Sequence, residues 1–190
     1  MEYSWLWTEL GWFALIILIG VFLAIYRPSD MLGQLTVRGL VWLPVTFTTV
    51  VIGVFIKLSP WVWPGMLESG RTENFTSEAL YVFFWTCILM PVVEEIIVRG
   101  PLLAIYNRSR YLAAWLWLFF SSVLFAAAHF IRYPPYMLTP ELISYRLTSD
   151  FIWSAAVGVA VFYTRSLVPA IISHSAINFV ILINIHIRIF

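Results

Sequence analysis

The stretch ALYVFFWTCILMPVVEEIIVRGPLLAIY, residues 79–106, places two adjacent acids, Glu94 and Glu95, and one cation, Arg99, inside an otherwise apolar run. A hydrocarbon core of about 30 Å takes about 20 helical residues, so this run is long enough to cross it. Each charge at the centre of such a helix costs at least about 2.5 kcal/mol on insertion scales, so three together need a reason to be there. On a helix, Glu95 and Arg99 stand four apart with the acid first, the favourable order for an ion pair. Glu94 is turned about 100° away from Glu95. One acid is therefore partnered locally, and the other is left for a different task. The plainer alternative is a structural ion pair with a snorkelling acid at a helix end.

The rest of the chain puts this stretch in a membrane. Its 190 residues are 62% hydrophobic, 18% aromatic and 11% charged, with a mean hydropathy of +0.90. Soluble domains carry about 25% charged residues, so this composition excludes a soluble enzyme. A net charge of +1 offers nucleic acid no electrostatic footprint. The lone Cys87 rules out an intramolecular disulfide. Further apolar runs occupy residues 10–26, 40–58, 112–131, 151–163 and 167–187, separated by polar stretches at 27–30, 59–78, 107–110, 132–150 and 164–166. The expected fold is all-α, a polytopic membrane helix bundle of about six transmembrane helices. A single membrane domain, 1–190, is expected, with two helices and a loop in 1–78 and a core built by the last four helices in 79–187. The fifth run has 13 residues, about 20 Å of helix, so it either ends inside the protein or begins before Asp150. Lys and Arg divide six to five between the two sides, with Arg99 on one and Arg146 on the other, a slight preference for termini outside the cytoplasm.

Two more polar pairs interrupt apolar runs at helical spacing. Phe125 and His129 are four apart, and so are His174 and Asn178, the latter flanked by Ser173 and Ser175. Taken singly, each pair reads as interhelical hydrogen bonding, which His and Asn commonly provide in membranes. Taken together they converge. The midpoint between Glu94 and His129 falls at about residue 111, beside the polar turn, so an antiparallel hairpin brings both side chains to similar depth. His174 follows its own turn by only nine residues, which calls for a short fifth helix drawn into the membrane. The third histidine, His186, lies near the chain end and suits an interfacial position. A carboxylate beside an imidazole suits general-base activation of water, and an imidazole with an amide suits stabilisation of an oxyanion. Neither Ser173, Ser175 nor Cys87 sits in the context of an activated nucleophile, so direct attack by water on a peptide bond follows.

Glu94-Glu95-x-x-x-Arg99, Phe125-x-x-x-His129 and His174-x-x-x-Asn178, in this order on successive apolar segments, resemble the three motifs of the CAAX protease and bacteriocin-processing (CPBP) family of intramembrane endopeptidases. The resemblance covers about residues 79–187 and implies that Glu94 acts as base with His129 on the water. It also implies that His174 and Asn178 form the oxyanion site, with Glu95, Arg99 and Phe125 in support. No cofactor is expected. Zinc bound by Glu94, His129 and His174 is the competing mechanism, at the cost of consuming the base. Expected partners are membrane lipid and a membrane-anchored protein or peptide substrate, with no nucleic acid, in the cell membrane of a prokaryote. Two readings from other classes stand beside the protease. One is a non-catalytic immunity or scaffold protein of the same fold. The other is a proton-coupled transporter, which the lack of an inverted repeat disfavours.

Overall fold

The computed structural model describes residues 4–25, 35, 42–58, 81, 83–107, 111–133 and 135–187. Among these residues every regular element is helical. Helix α1 spans Ser4–Ile25, α2 Trp42–Leu58, α3 Met90–Asn107, α4 Tyr111–Ala128, α5 Pro140–Thr164 and α6 Val168–Ile187. A π-helical turn, Trp85–Leu89, leads into α3, and short 3-10 turns at His129–Arg132 and Pro135–Met137 join α4 to α5. The polar stretch 59–78 and the turns at 27–30 and 108–110 lie outside the described residues, as does the side chain of His186.

Helices α3 to α6 make the centre of the bundle. Helix α1 packs on α3 and α4, while α2 packs on α5 and α6, so the first two helices flank opposite sides. Their common core includes Leu102, Leu118, Phe125, Trp153, Val157 and Ile177. Apolar residues cover the outside as well: Phe13, Phe47, Phe55, Leu112 and Phe120 are all exposed. A helix apolar on both faces is stable where lipid replaces water. Among the described residues two helices, Tyr111–Ile131 and Pro140–Thr164, are long and apolar enough to cross a membrane, and Glu9–Phe22, Trp42–Ile56 and Val168–Ile183 are shorter apolar helices. Two buried hydroxyls of α2 are satisfied within their own helix. Thr46 donates to the Trp42 carbonyl and Thr49 to that of Val45, each at 2.7 Å.

The structure corrects the sequence reading at residues 132–150. Only a short connection precedes Pro140, and the fifth helix is 25 residues long, about 37 Å. It begins before Asp150, and the premise of a short helix drawn into the membrane falls. Its start is well marked: Thr139 is the N-cap, its hydroxyl accepts the Leu142 N–H at 3.3 Å, and Pro140 opens the first turn. Arg146 and Asp150, four apart, lie on this helix and are both buried. Arg99 and Arg146, counted from sequence among the orienting cations, are in fact buried helical side chains. At the far end Arg165 adopts φ 52°, its N–H capping the Val161 carbonyl at 2.8 Å and its guanidinium bonded to the Tyr106 hydroxyl at 3.0 Å.

Close approach of α2 depends on Gly53. A Cβ there would lie 2.4 Å from Ile177 Cδ1 and 2.6 Å from Trp153 Nε1. Gly53→Val is expected to push α2 off α5 and α6, costing about 1–3 kcal/mol and lowering the unfolding midpoint in detergent. An unchanged midpoint would mean that α2 does not need this contact.

Candidate active site

Glu95 is fully buried at the centre of the bundle, and its carboxylate joins α3 to α6. Its Oε2 lies 3.3 Å from Arg99 Nε on the next turn of α3, the pair expected from the spacing. Its Oε1 lies 2.9 Å from Nδ1 of His174 on α6. The Arg99 guanidinium continues the chain to α5, donating through Nη2 to the Ser154 hydroxyl at 2.6 Å and to the Ser154 carbonyl at 3.0 Å. It also stands 4.8 Å from the centroid of the Phe125 ring on α4. Glu95 therefore does more than hold Arg99: an ionised carboxylate only accepts, so it receives Nδ1–H and fixes the orientation of the His174 ring. The other ring nitrogen, Nε2, then lies 3.5 Å from Glu94 Oε2. One imidazole thus sits between the two adjacent acids.

Phe125 is buried and central. Its ring lies 4.4 Å from that of His129 and 5.9 Å, edge-on, from that of His174. His129 begins the 3-10 turn that ends α4, and its Nδ1 is 2.8 Å from the Phe125 carbonyl. A carbonyl accepts only, so Nδ1 carries the proton and Nε2 is the basic nitrogen of the neutral ring. Two cavities meet at this histidine. One, of about 220 Å³, lies between α1, α3 and α4, lined by apolar residues with Glu94 and His129 as its acid and its imidazole. The other, of about 170 Å³, holds His129, His174 and Asn178 together.

Asn178 is positioned by a break in helical geometry. Proline at 91 has no N–H to give to the Cys87 carbonyl four residues back, and the preceding turn widens so that Met90 N–H bonds to the Trp85 carbonyl. In the same register, residue 91 would bond to the Thr86 carbonyl, and proline cannot. Asn178 supplies the missing donor, Nδ2 to the Thr86 carbonyl at 2.9 Å. That bond ties α6 to the π-helical turn and sets the plane of the amide.

Several residues at this site carry no mark in the sequence reading. Ser154 and Trp153 come from the run read only as a short fifth helix, yet one holds Arg99 and the other stands 4.8 Å from the His174 ring. Thr86, Tyr133, Arg146 and Asp150 also line the cavity of His174 and Asn178. The spacing of Arg146 and Asp150 is the same i, i+4 signal that marks Glu95 and Arg99. Among the described residues no three side chains of His, Cys, Asp and Glu are grouped as metal ligands. Nδ1 of each histidine is held by an acceptor, which leaves Nε2 of each ring as the working nitrogen. What the set can do is handle protons and hold a developing negative charge.

Residues 76–180 match the Rce1-like family model, described as type II CAAX prenyl endopeptidase Rce1-like. An uncharacterized 24.3 kDa protein of Escherichia coli is 34% identical over 123 residues, covering 60% of this chain and 55% of that protein. The chain thus spans about half the length of the curated relative it matches. No solved structure matches.

Proposed function

Because the chain belongs to the Rce1-like family, we propose that it is a multi-pass intramembrane endopeptidase that hydrolyses a peptide bond near the membrane-anchored end of a protein or peptide. The observation that carries this reading is the place of His129, which borders the cavity of Glu94 on one side and that of His174 and Asn178 on the other. A water in the first cavity has a carboxylate and an imidazole to receive its proton. A carbonyl presented from the second cavity has an imidazole and an amide to receive its developing charge.

Glu94, with His129, takes a proton from water as the oxygen attacks the scissile carbonyl. The carbonyl π pair moves onto oxygen, where an Asn178 N–H and His174 Nε2–H stabilise it, the latter present when the ring carries a proton on each nitrogen. Collapse of the tetrahedral intermediate breaks the C–N bond, and Glu94 returns the proton to the departing amine. One water is consumed, and a carboxylic acid and an amine are formed. Glu95, Arg99 and Phe125 touch no reacting atom in this scheme and act by holding His174 and His129.

The test is a comparison of membrane peptides from cells expressing the wild-type chain or His129→Ala at equal abundance. Shortened, membrane-anchored C-termini should accumulate with the wild type alone and persist when a strong chelator is added to the purified enzyme. Identical peptides in both strains would sink the assignment, and activity lost to chelator but restored by zinc would overturn the water-only mechanism.

A separate expectation concerns Pro91. In Pro91→Ala the new N–H competes for the Thr86 carbonyl, so Asn178 loses its anchor while the bundle stays folded. Turnover should fall by about tenfold, mostly in kcat, because the amide acts on charge present only in the transition state. Unchanged kcat would mean that Asn178 needs no such anchoring.

A further inference from the structure

Helix α1 lies outside residues 76–180, the stretch that the family model matches, yet one of its faces belongs to the active site. Trp12, Phe13, Ile16 and Ile19 are exposed on its outer side. The inner stripe is Gly11, Ala14, Leu15 and Leu18, at the spacing of one helix face. Leu15 and Leu18 line the cavity of Glu94 and His129. One turn earlier, Gly11 meets the segment that carries His129. A Cβ on Gly11 would stand 2.8 Å from Ile131 Cγ1, and 3.1 Å from both the Ala127 carbonyl oxygen and the Ile131 nitrogen. Ala127 and Ile131 flank His129, two residues to either side. Helix α1 therefore rests here on backbone, which cannot swing aside as a side chain can.

We propose that Gly11 is a positioning residue for His129, and that the seat of α1 on residues 127–131 sets the reach of that imidazole toward the water it shares with Glu94. The effect on turnover rests on the peptidase reading, and the proposal adds the first helix to the site. His129 opens a 3-10 turn, whose hydrogen bonds are poorer than those of an α-helix, so its placement depends on what packs against it. The bond of Nδ1 to the Phe125 carbonyl ties the ring to its own helix, whereas Glu94 comes from α3. Helix α1 packs on α3, on α4 and on both 3-10 turns, so it bridges the carriers of the acid and the imidazole. A methyl added to Gly11 requires residues 127–131 to give by a few tenths of an ångström. A misplacement of about 1 Å costs about 10²-fold in rate, so this shift should cost about tenfold.

The test uses the purified full chain, whose three histidines allow their isotope-labelled ring nitrogens to be read one by one by NMR. The signals lost in His129→Ala are those of His129. Gly11→Ala should move them, leave those of His174 in place, and lower kcat about tenfold with KM within about twofold. Gly20→Ala makes the same substitution on the same helix, where a Cβ meets nothing within 4 Å, and should leave signals and kcat unchanged. Unmoved His129 signals or an unchanged kcat in Gly11→Ala overturns the proposal. So does a KM effect with kcat intact, which belongs to substrate binding. A His174 shift as large as that of His129 belongs to a general loosening and overturns it too. Should Gly11→Ala fail to accumulate, Ile131→Ala opens the same contact instead of crowding it. The His129 signals should then broaden or split, and a sharp set at the wild-type positions overturns the seat. Wild-type cleavage separates the two claims. Moved His129 signals with no peptide ever cut sink the peptidase reading and leave the seat, whereas cutting at the wild-type rate by Gly11→Ala sinks the seat alone.

Discussion

Glu94→Gln should reduce cleavage of a membrane-anchored peptide by about a thousandfold, with the protein accumulating and unfolding as the wild type does. The change removes a base while keeping the shape of the side chain, and general-base contributions of about 10²–10⁴ set the scale. Little structure depends on it. Glu94 is partly exposed at the wall of the cavity it shares with His129, whereas Glu95 is fully buried. Single-turnover measurement on purified protein, with the unfolding midpoint taken in parallel, distinguishes loss of chemistry from loss of fold. A variant retaining more than about a tenth of wild-type turnover would remove Glu94 from the role of base.

Glu95→Leu should instead cost about 3–5 kcal/mol of stability, because it leaves Arg99 buried without its carboxylate. Adding Arg99→Leu should recover most of that loss, since a buried ion pair exchanged for apolar residues of similar size is often neutral or stabilising. Activity should not return with the fold. The double variant still lacks the acceptor that holds His174 Nδ1 at 2.9 Å, so the ring is free to turn away from the oxyanion. The decisive measurement pairs thermal unfolding with kcat across the two single variants and the double. Recovery of kcat together with stability would reduce Glu95 to a purely structural partner of Arg99. A larger effect on kcat than on stability in Glu95→Gln, with Glu94→Gln active, would show that the two acids have exchanged roles.

What could be read before the fold was known follows from where the information lies. The pairs Glu95 with Arg99, Phe125 with His129, and His174 with Asn178 are four apart, and helical periodicity alone puts each on one face. Contacts between helices leave no such trace. The bond of His174 to Glu95 joins residues 79 apart, and that of Arg99 to Ser154 joins residues 55 apart. Neither serine spacing nor composition distinguishes Ser154 from any other hydroxyl on an apolar run. The error at residues 132–150 has another cause. Prolines, Glu141, Arg146 and Asp150 make that segment polar, and this polarity masks the Thr139-Pro140-Glu141 start signal and the i, i+4 charge pair that follows it. Thr86 enters the site through its backbone carbonyl, which no side chain advertises, although Pro91 five residues on is a visible cause.

The local pairing of Glu95 with Arg99 also bears on how the chain is made. Synthesis runs at about 5–20 residues per second, so His174, 79 residues later, emerges roughly 4–16 s after Glu95. Throughout that interval the third helix lacks His174, and for most of it Ser154 as well, to receive its charges. A carboxylate and a guanidinium one turn apart let it leave the translocon with that pair neutralised and Glu94 as its one remaining charge, able to wait in the bilayer for the last two helices. Biogenesis, as much as catalysis, explains why the acid that orients His174 carries its counter-ion on its own helix.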